Sequence, residues 1–335
     1  MPKKKHFSEI TSLKGLFILI IVLHNASLVN PVFPHIPGIP YICMFGGIFG
    51  NSMFFMLSGF LLSVTYKDQI TSARISFQDY IRRRLVKLYP LYLLTNIVSL
   101  IISIWRYGIS GLQLEKLAFT LLLQNGGGLK ANNPYNAPSW FISALIVCYT
   151  VYFLLCRISG SSIRYRCALF LGIAWGYALS ILNLSIPFSY AGNGVAFMNF
   201  FIGCIIAEYF PKIRSSSHKW IRPTVFISLL GIGFLFLNYG VEVICGSVET
   251  AASFVISPMI VYLALSDGLC SRLLRLRPLV CLGKISASIF FWHLPVLYIM
   301  QDLVVSGEVL ENGLFIVYLA VLILWSILSN RLLER

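Results

Sequence analysis

Long apolar stretches alternate with short polar segments from one end of the chain to the other. Each stretch is roughly 20 residues long, the length that an α-helix needs to cross the hydrocarbon core of a bilayer. A transmembrane barrel would instead show short segments of alternating polarity. The pattern predicts ten membrane-spanning helices, at residues 11–29, 41–65, 86–105, 138–156, 166–183, 194–209, 222–240, 250–266, 280–300 and 311–330.

The amino-acid composition leads to the same fold class. Of the 335 residues, 58% are hydrophobic and 11% are charged, whereas soluble domains carry about 25% charged residues. The predicted fold class is therefore all-α, a polytopic membrane protein built as a bundle of about ten transmembrane helices. We expect residues 1–335 to form a single membrane-embedded domain with no appended soluble domain.

The basic residues indicate how the chain crosses the membrane. If the N-terminus is cytoplasmic, all 26 lysines and arginines except Arg106, Lys116 and Lys130 fall on the cytoplasmic side. This is the asymmetry of the positive-inside rule, and a wrong number of spans would scramble it. We therefore expect both termini in the cytoplasm. The asymmetry also accounts for the net charge of +14 without a nucleic-acid partner.

Two histidines fall inside predicted spans and are candidate catalytic residues. His24 is ten positions beyond Lys14, about 15 Å along a helix, and His293 is nine positions beyond Lys284, about 13.5 Å. Because both helices start in the cytoplasm, the two imidazoles should lie at similar depth, where ionisable side chains are costly and commonly functional.

Several roles are open to these imidazoles. A neutral imidazole can act as general base on a hydroxyl, and hydrogen bonding to a neighbouring helix is the alternative. A kink at Pro295 would instead give His293 a geometric role. No third ligand lies at matching depth, and the eight cysteines lack metal-binding spacing. We therefore expect no metal.

A basic cluster precedes the third span in FQDYIRRRLVKLYPLY (77–92). Arginine side chains pair well with phosphate oxygens, so the cluster is a candidate phosphate clamp, with positive-inside anchoring as the alternative. Ser58 and Gly59 are small residues near the inner end of the second span. They leave room either for the narrow arm of a phosphate-bearing cofactor or for close packing of two helices. The basic side chains are Arg82, Arg83, Arg84 and Lys87.

Three segments fall on the predicted outer side. LQLEKLAFTLLL (112–123) is too short and too charged to span, and we expect a helix lying on the outer surface. NPVFPHIPGIP (30–40) is uncharged and stiff. QNGGGLKANNPYNAPSW (124–140) mixes amides, glycines and aromatics, a composition typical of sugar-binding loops and also of ordinary solvated ones. The residues predicted to bind a polar acceptor molecule on this side are Asn25, Asn136 and Trp140.

Six segments together form an ordered set of motifs. They are SLKGLFILIIVLH (12–24), FFMLSGFLLS (54–63), FQDYIRRRLVKLYPLYLL (77–94), PSWFISAL (138–145), FFIGCIIA (200–207) and LGKISASIFFWHLPV (282–296). The set resembles the acyltransferase 3 family, membrane O-acyltransferases that modify bacterial surface polysaccharides and other extracytoplasmic acceptors. The second, third and last segments carry most of the resemblance.

The resemblance implies a location, the inner (cytoplasmic) membrane of a bacterial cell, together with a reaction and a set of roles. Acetyl-CoA, or another acyl-CoA, would bind from the cytoplasm as donor, and the acyl group would pass to a hydroxyl of an extracytoplasmic glycan, often lipid-linked. His24 matches the first-helix histidine that is proposed to take part in the transfer. The predicted donor-binding residues are Lys14, Ser58, Arg82, Arg83, Arg84, Lys87 and Tyr89.

Three positions depart from the family pattern. Thr11 stands where an acid is usual, and Leu145 stands where many members carry glutamate. The gap between Lys14 and His24 is nine residues, where ten is usual. At about 100° per residue, the usual gap places the two side chains within about 20° of each other, and this one about 80° apart. Either a helical irregularity restores the alignment, or Lys14 has another role.

Two other function classes fit parts of the sequence. A transporter or flippase for a lipid-linked saccharide would suit ten spans and a basic inner rim, although no paired half-helix signature is present. A non-catalytic scaffold or sensor would have no use for two histidines at matched depth. The expected partners are membrane lipid and a glycan acceptor, and the sequence leaves the oligomeric state open.

Overall fold

The structure is a computed structural model that describes residues 7–29, 39–182, 184–215, 220–239, 248–303 and 312–333. Within these ranges the chain is helical, and extended structure is limited to an isolated bridge between Asn125 and Lys130. The helices are α1 (Ser8–Val29), α2 (Ile39–Thr71), α3 (Phe77–Tyr107), α4 (Leu114–Leu121), α5 (Trp140–Ile158), α6 (Ser162–Leu182), α7 (Ala191–Ser215), α8 (Ile221–Tyr239), α9 (Val248–Ala251), α10 (Ser257–Leu265), α11 (Leu269–Leu274), α12 (Arg277–Lys284), α13 (Ser286–Leu303) and α14 (Asn312–Leu333).

The predicted all-α membrane fold is confirmed. Seven helices in the described ranges are long and apolar enough to cross a membrane, and α12 and α13 form an eighth span if the bent pair is counted as one. Two shorter apolar helices, 221–234 and 249–265, coincide with the remaining predicted spans. Each of the ten predicted stretches thus corresponds to a helix or a bent pair, and α4 is helical as expected. The orientation of the termini stays a prediction.

Helix α3, which carries the basic cluster, has defined ends. At its start the Asp79 N–H donates to Ser76 Oγ at 3.1 Å, while that hydroxyl donates to the Asp79 carboxylate at 2.9 Å. These bonds satisfy a donor that the first turn would leave unpaired. At its end Gly108 adopts φ 61°, a left-handed value that favours glycine. The capped helix holds its basic residues at fixed positions around one axis.

Glycines set the distances between the central helices. Gly59 of α2 faces the Phe200 carbonyl of α7, and Gly203 of α7 faces the Met56 carbonyl, so close that a methyl group at either glycine would overlap the facing oxygen. Gly283 of α12 meets the Thr11 carbonyl of α1 in the same way. Small residues let helix backbones approach closely within a bilayer. Helices α1, α2, α7 and α12 therefore form a tight frame.

The bend in the ninth predicted span lies at a different residue from the one expected. Helices α12 and α13 meet at 62°, with Ile285 between them, whereas α13 continues through Pro295. A proline leaves the carbonyl four residues earlier without its helical donor. That carbonyl belongs to Phe291, and the Asn136 side-chain amide donates to it at 2.8 Å. Helix α13 therefore does not bend at Pro295 as expected. A hydrogen bond from the loop before α5 satisfies the carbonyl that the proline leaves without its helical donor.

Candidate active site

A cavity of about 260 Å³ lies between α1, α2, α3, α5 and α13. Its polar lining includes five of the predicted donor-binding side chains, brought together from three helices. Two further polar side chains line it, Tyr149 from α5 and Ser286 from the first turn of α13. The five predicted residues are Lys14, Ser58, Arg83, Arg84 and Lys87.

The charge lining this cavity is positive. Lys14, Arg83, Arg84 and Lys87 face it, and no carboxylate among the described residues does. The Arg84 guanidinium lies 4.4 Å from the ring centroid of Tyr66, and its Nε is buried with no hydrogen-bond partner in the described part of the chain. Guanidinium groups bind phosphate and carboxylate oxygens in a planar, bidentate geometry. The cavity is therefore suited to an anionic ligand.

Four phenylalanines, which we call the Phe collar, line the cavity. They are Phe54, Phe141, Phe290 and Phe291. Ring centroids are 5.5 Å apart between Phe141 and Phe290, 5.5 Å between Phe290 and Phe291, and 6.3 Å between Phe54 and Phe141. In the predicted topology, Phe54 lies one helical turn to the outer side of Ser58, and Phe290 lies one turn to the outer side of Ser286. The Phe collar therefore adds an aromatic wall to the basic cavity.

His293 lies just beyond this collar. It is fully buried, with its ring centroid 6.1 Å from that of Phe290. Its Nδ1 is 2.7 Å from the Phe290 carbonyl oxygen. Because a carbonyl can only accept, Nδ1 carries the proton and Nε2 keeps a free lone pair. Nε2 has no hydrogen-bond partner among the described residues. A basic nitrogen without a partner is thus buried next to the cavity.

His24 lies on α1, away from the residues that line the cavity. The half-buried imidazole faces α2, where a methyl group at Gly47 would come within 2.5 Å of Nε2. Helix α1 is uninterrupted from Ser8 to Val29, so no irregularity restores the alignment of Lys14 with His24. At about 100° per residue, Asn25 lies within about 20° of Lys14 and His24 about 80° away.

The predicted acceptor-binding residues lie near the ends of helices that the predicted topology places on the outer side. The Asn136 N–H donates to Asn96 Oδ1 at 2.8 Å, and Asn136 Oδ1 is buried without a partner among the described residues. Trp140 packs against Gly126 and Gly192, with its ring centroid 6.1 Å from that of Phe55. The Asn25 amide donates to the Ile21 carbonyl at 2.9 Å. The cavity brings none of the three together.

Two predicted donor-binding residues also lie outside the cavity lining. Arg82 is exposed. The Tyr89 hydroxyl donates to the Leu121 carbonyl at 2.9 Å, which ties α3 to the end of α4. Segment 30–40, apart from its last two residues, lies outside the described part of the chain.

We assigned no role from the sequence to the aromatic and small residues that complete the site. The Phe collar, Tyr149 and Ser286 line the cavity. Phenylalanine and tyrosine also occur commonly on surfaces that face lipid, so their residue type does not predict a place in a cavity. Only the proximity of Phe290 and Phe291 to His293 along the chain could have drawn attention to them.

The sequence profile of the acyltransferase 3 family, described as an acyltransferase domain, matches residues 7–331. The chain is also similar to proteins named O-acetyltransferase OatA from Staphylococcus aureus strains NCTC 8325 / PS 47, COL and MRSA252, each 21% identical over 315 residues. These matches cover 86% of this chain and 52% of each relative, so the chain spans about half the length of the curated relatives it matches. No solved structure matches the chain. With nearly all of its residues matched by the profile, the chain belongs to the acyltransferase 3 family.

Proposed function

We propose that this family member is an O-acyltransferase that moves an acyl group, acetyl in the first instance, from cytoplasmic acyl-CoA to a hydroxyl of an extracytoplasmic glycan. One observation carries the proposal. The cavity in the bundle is lined by four cationic side chains, Lys14, Arg83, Arg84 and Lys87, with no carboxylate among the described lining residues. Coenzyme A brings several phosphates to such a site, whereas a neutral saccharide in transit would have no use for it.

The size of the cavity indicates how the donor would bind. Its volume of about 260 Å³ is below the usual range for a pocket that encloses a whole ligand, roughly 300–1,000 Å³. We infer that the nucleotide phosphates bind Arg83, Arg84 and Lys87 at the rim, while the acyl-bearing arm enters past Ser58 toward the Phe collar. Tyr149 and Ser286 offer hydroxyls along that route.

The transfer needs a general base for the acceptor hydroxyl. A neutral imidazole, His24 in this proposal, accepts the proton of the acceptor hydroxyl as that oxygen attacks the thioester carbonyl carbon. The carbon–sulfur bond then breaks, and the leaving thiolate takes the proton back from the imidazolium. The products are the ester and the free thiol of coenzyme A, and His293 Nε2 would accept a hydrogen bond from the acceptor.

The acceptor is inferred from the family and from the outer end of the bundle. The relatives are named O-acetyltransferases, which supports oxygen as the acceptor atom. We propose that Asn25, Asn136 and Trp140 contribute to the acceptor path, since Asn136 Oδ1 is buried and unpartnered within the described structure. A lipid-linked saccharide would reach this end from the membrane.

The experiment uses inverted membrane vesicles that contain the full chain, with radiolabelled acetyl-CoA outside them. We expect label to appear in glycan inside vesicles with wild-type protein, and transfer by His24→Ala to fall at least about 100-fold at equal protein abundance, since general-base catalysis contributes about that much. Acetyl-CoA binding should be retained. Export of unmodified saccharide, with no label transferred, would support the transporter reading instead.

A further inference from the structure

A second pocket, of about 330 Å³, lies between α4 and the loop that follows it. Three amide side chains (Gln113, Asn125 and Asn132), the Phe119 ring and two lysines (Lys116 and Lys130) line it. Glu115 lies at the same pocket. None of these residues belongs to the cavity described above. In the predicted topology the pocket opens on the outer side of the membrane, which the acceptor must approach.

The loop that forms one wall is held in place by hydrogen bonds. The Gly126 N–H donates to the Lys130 carbonyl at 2.8 Å, and the Asn125 amide donates to the Lys116 carbonyl at 3.0 Å. From α7, the Asn193 amide donates to the Gly127 carbonyl at 2.8 Å. A loop fixed on both sides presents its side chains in a preformed arrangement, which lowers the entropic cost of binding.

The two lysines differ in how their charge is balanced. Lys130 Nζ lies 2.5 Å from the Glu115 carboxylate. Lys116 has no carboxylate partner among the described residues, and its ammonium lies 4.8 Å from the ring centroid of Tyr135. Partial burial lowers the pKa of Lys116. The pocket therefore holds one more positive charge than negative, on a half-buried ammonium.

The position of these lysines is unusual for this chain. Only three basic residues fall in the predicted outer segments. Arg106 of α3 donates from Nε and from a terminal nitrogen to the Asp302 carboxylate of α13, both at 2.8 Å, and so joins two helices. The remaining two, Lys116 and Lys130, both line the same pocket. The positive-inside bias acts against basic residues here, so their pairing at one pocket needs a local reason.

We propose that this outer pocket binds the carboxylate or phosphate of an acidic glycan, which makes the acceptor class an acidic saccharide. The inference rests on the proposed acyltransferase function, of which it specifies the acceptor. Lys116 would bind the anionic oxygens through a charge-assisted hydrogen bond. The amides of Gln113 and Asn132 would bind sugar hydroxyls, and Phe119 would contact the apolar face of a sugar ring.

The test measures oligosaccharide binding to the full chain in nanodiscs of zwitterionic lipid, without acyl-CoA. The probes are hexagalacturonate, its fully methyl-esterified neutral form, and phosphopentamannose. We expect at least one acidic probe to bind about tenfold more tightly than the neutral one. A tenfold difference in affinity is what the free energy of one charge-assisted hydrogen bond would produce. The acidic probe that binds identifies carboxylate or phosphate as the preferred group. Lys116→Met should remove the preference.

Lys212→Met is the matched control, because Lys212 also lies over a tyrosine ring, 5.7 Å from the Tyr209 centroid, but on α7 at the predicted cytoplasmic side. It should keep the preference. Equal binding of acidic and neutral probes, an unchanged preference in Lys116→Met, or loss of acidic-probe binding in nanodiscs that contain phosphatidylglycerol would overturn the inference. The last result would assign the pocket to a lipid headgroup.

Acetyl transfer from acetyl-CoA, measured separately on the same preparations, distinguishes the two proposals. If transfer occurs without any acidic preference, the acceptor inference is wrong and the acyltransferase function stands. If the acidic probes bind but acetyl-CoA neither binds nor reacts, the acyltransferase function is wrong while the pocket retains its ligand class.

Discussion

The two ring nitrogens of His293 differ in their hydrogen-bond partners. Nδ1 is occupied by the Phe290 carbonyl at 2.7 Å, whereas Nε2 is buried and unpartnered within the described residues. A buried polar atom without a partner costs stability. Substrate or water at Nε2 would remove that cost, so the orphaned nitrogen indicates that something polar binds beside the Phe collar.

Replacing His293 with asparagine tests this at the level of one atom. The Asn amide can still donate to the Phe290 carbonyl, as Nδ1 does, but it has no group at the place of Nε2. We expect His293→Asn to fold with an unchanged melting temperature and to transfer acetyl at least about tenfold more slowly, the loss of one good hydrogen bond. Transfer at the wild-type rate would show that Nε2 has no part in the reaction.

Among the elements, α2 and α7 show most clearly how packing positions the site. Their backbones meet at Gly59 and Gly203, where neither glycine can accept a methyl group without overlapping a carbonyl oxygen of the facing helix. Ser58, next to Gly59, lines the cavity. The close approach of α2 to α7 therefore fixes one wall of the cavity, and widening it would move Ser58.

We expect Gly203→Ala to lower the melting temperature, because an added methyl group in a packed interface costs about 1–3 kcal/mol. Gly231→Ala is the matched control. Gly231 is also a helical glycine, but no atom lies within 4 Å of the place where its methyl group would be. Alanine there should leave the melting temperature unchanged or raise it slightly, because alanine favours helix. Equal melting temperatures for the two variants would contradict the tight interface.

Sequence patterns predicted the elements more successfully than the site. Apolar length is enough to find spans, so each of the ten predicted stretches has its counterpart. The direction of a side chain depends on helix rotation, which residue types alone do not reveal. Arg82 and Arg83 are neighbours about 100° apart, and only Arg83 lines the cavity. The absence of a kink at Pro295 could not be predicted either, because the donor to the carbonyl that this proline leaves unpaired is Asn136, which is distant in sequence.

We propose that the protein binds its two substrates from opposite sides of the membrane. The donor enters at the basic cavity, and the acceptor arrives at the opposite face. In the predicted topology, Lys212 at the end of α7 is cytoplasmic and Ser110 after α3 is external. Both side chains are exposed. Their accessibility reports the orientation directly.

Single cysteines at these positions, in a chain whose eight cysteines are replaced by alanine, should react with a membrane-impermeant maleimide from opposite sides. We expect Ser110→Cys to be labelled in intact cells and Lys212→Cys only in inverted vesicles. Labelling of both variants from the same side would show that the positive-inside assignment is wrong, and with it the direction of transfer.

The central claim is that the basic cavity binds the acyl-CoA donor, and calorimetry of acetyl-CoA binding to the purified chain tests it most directly. The three consecutive arginines provide their own comparison, because Arg83 and Arg84 line the cavity and Arg82 does not. We predict that Arg83→Gln and Arg84→Gln each weaken binding at least about tenfold, as expected for a lost charge-assisted bond to phosphate, and that Arg82→Gln weakens it much less. Equal affinities in all three variants, or the largest loss in Arg82→Gln, would contradict the account.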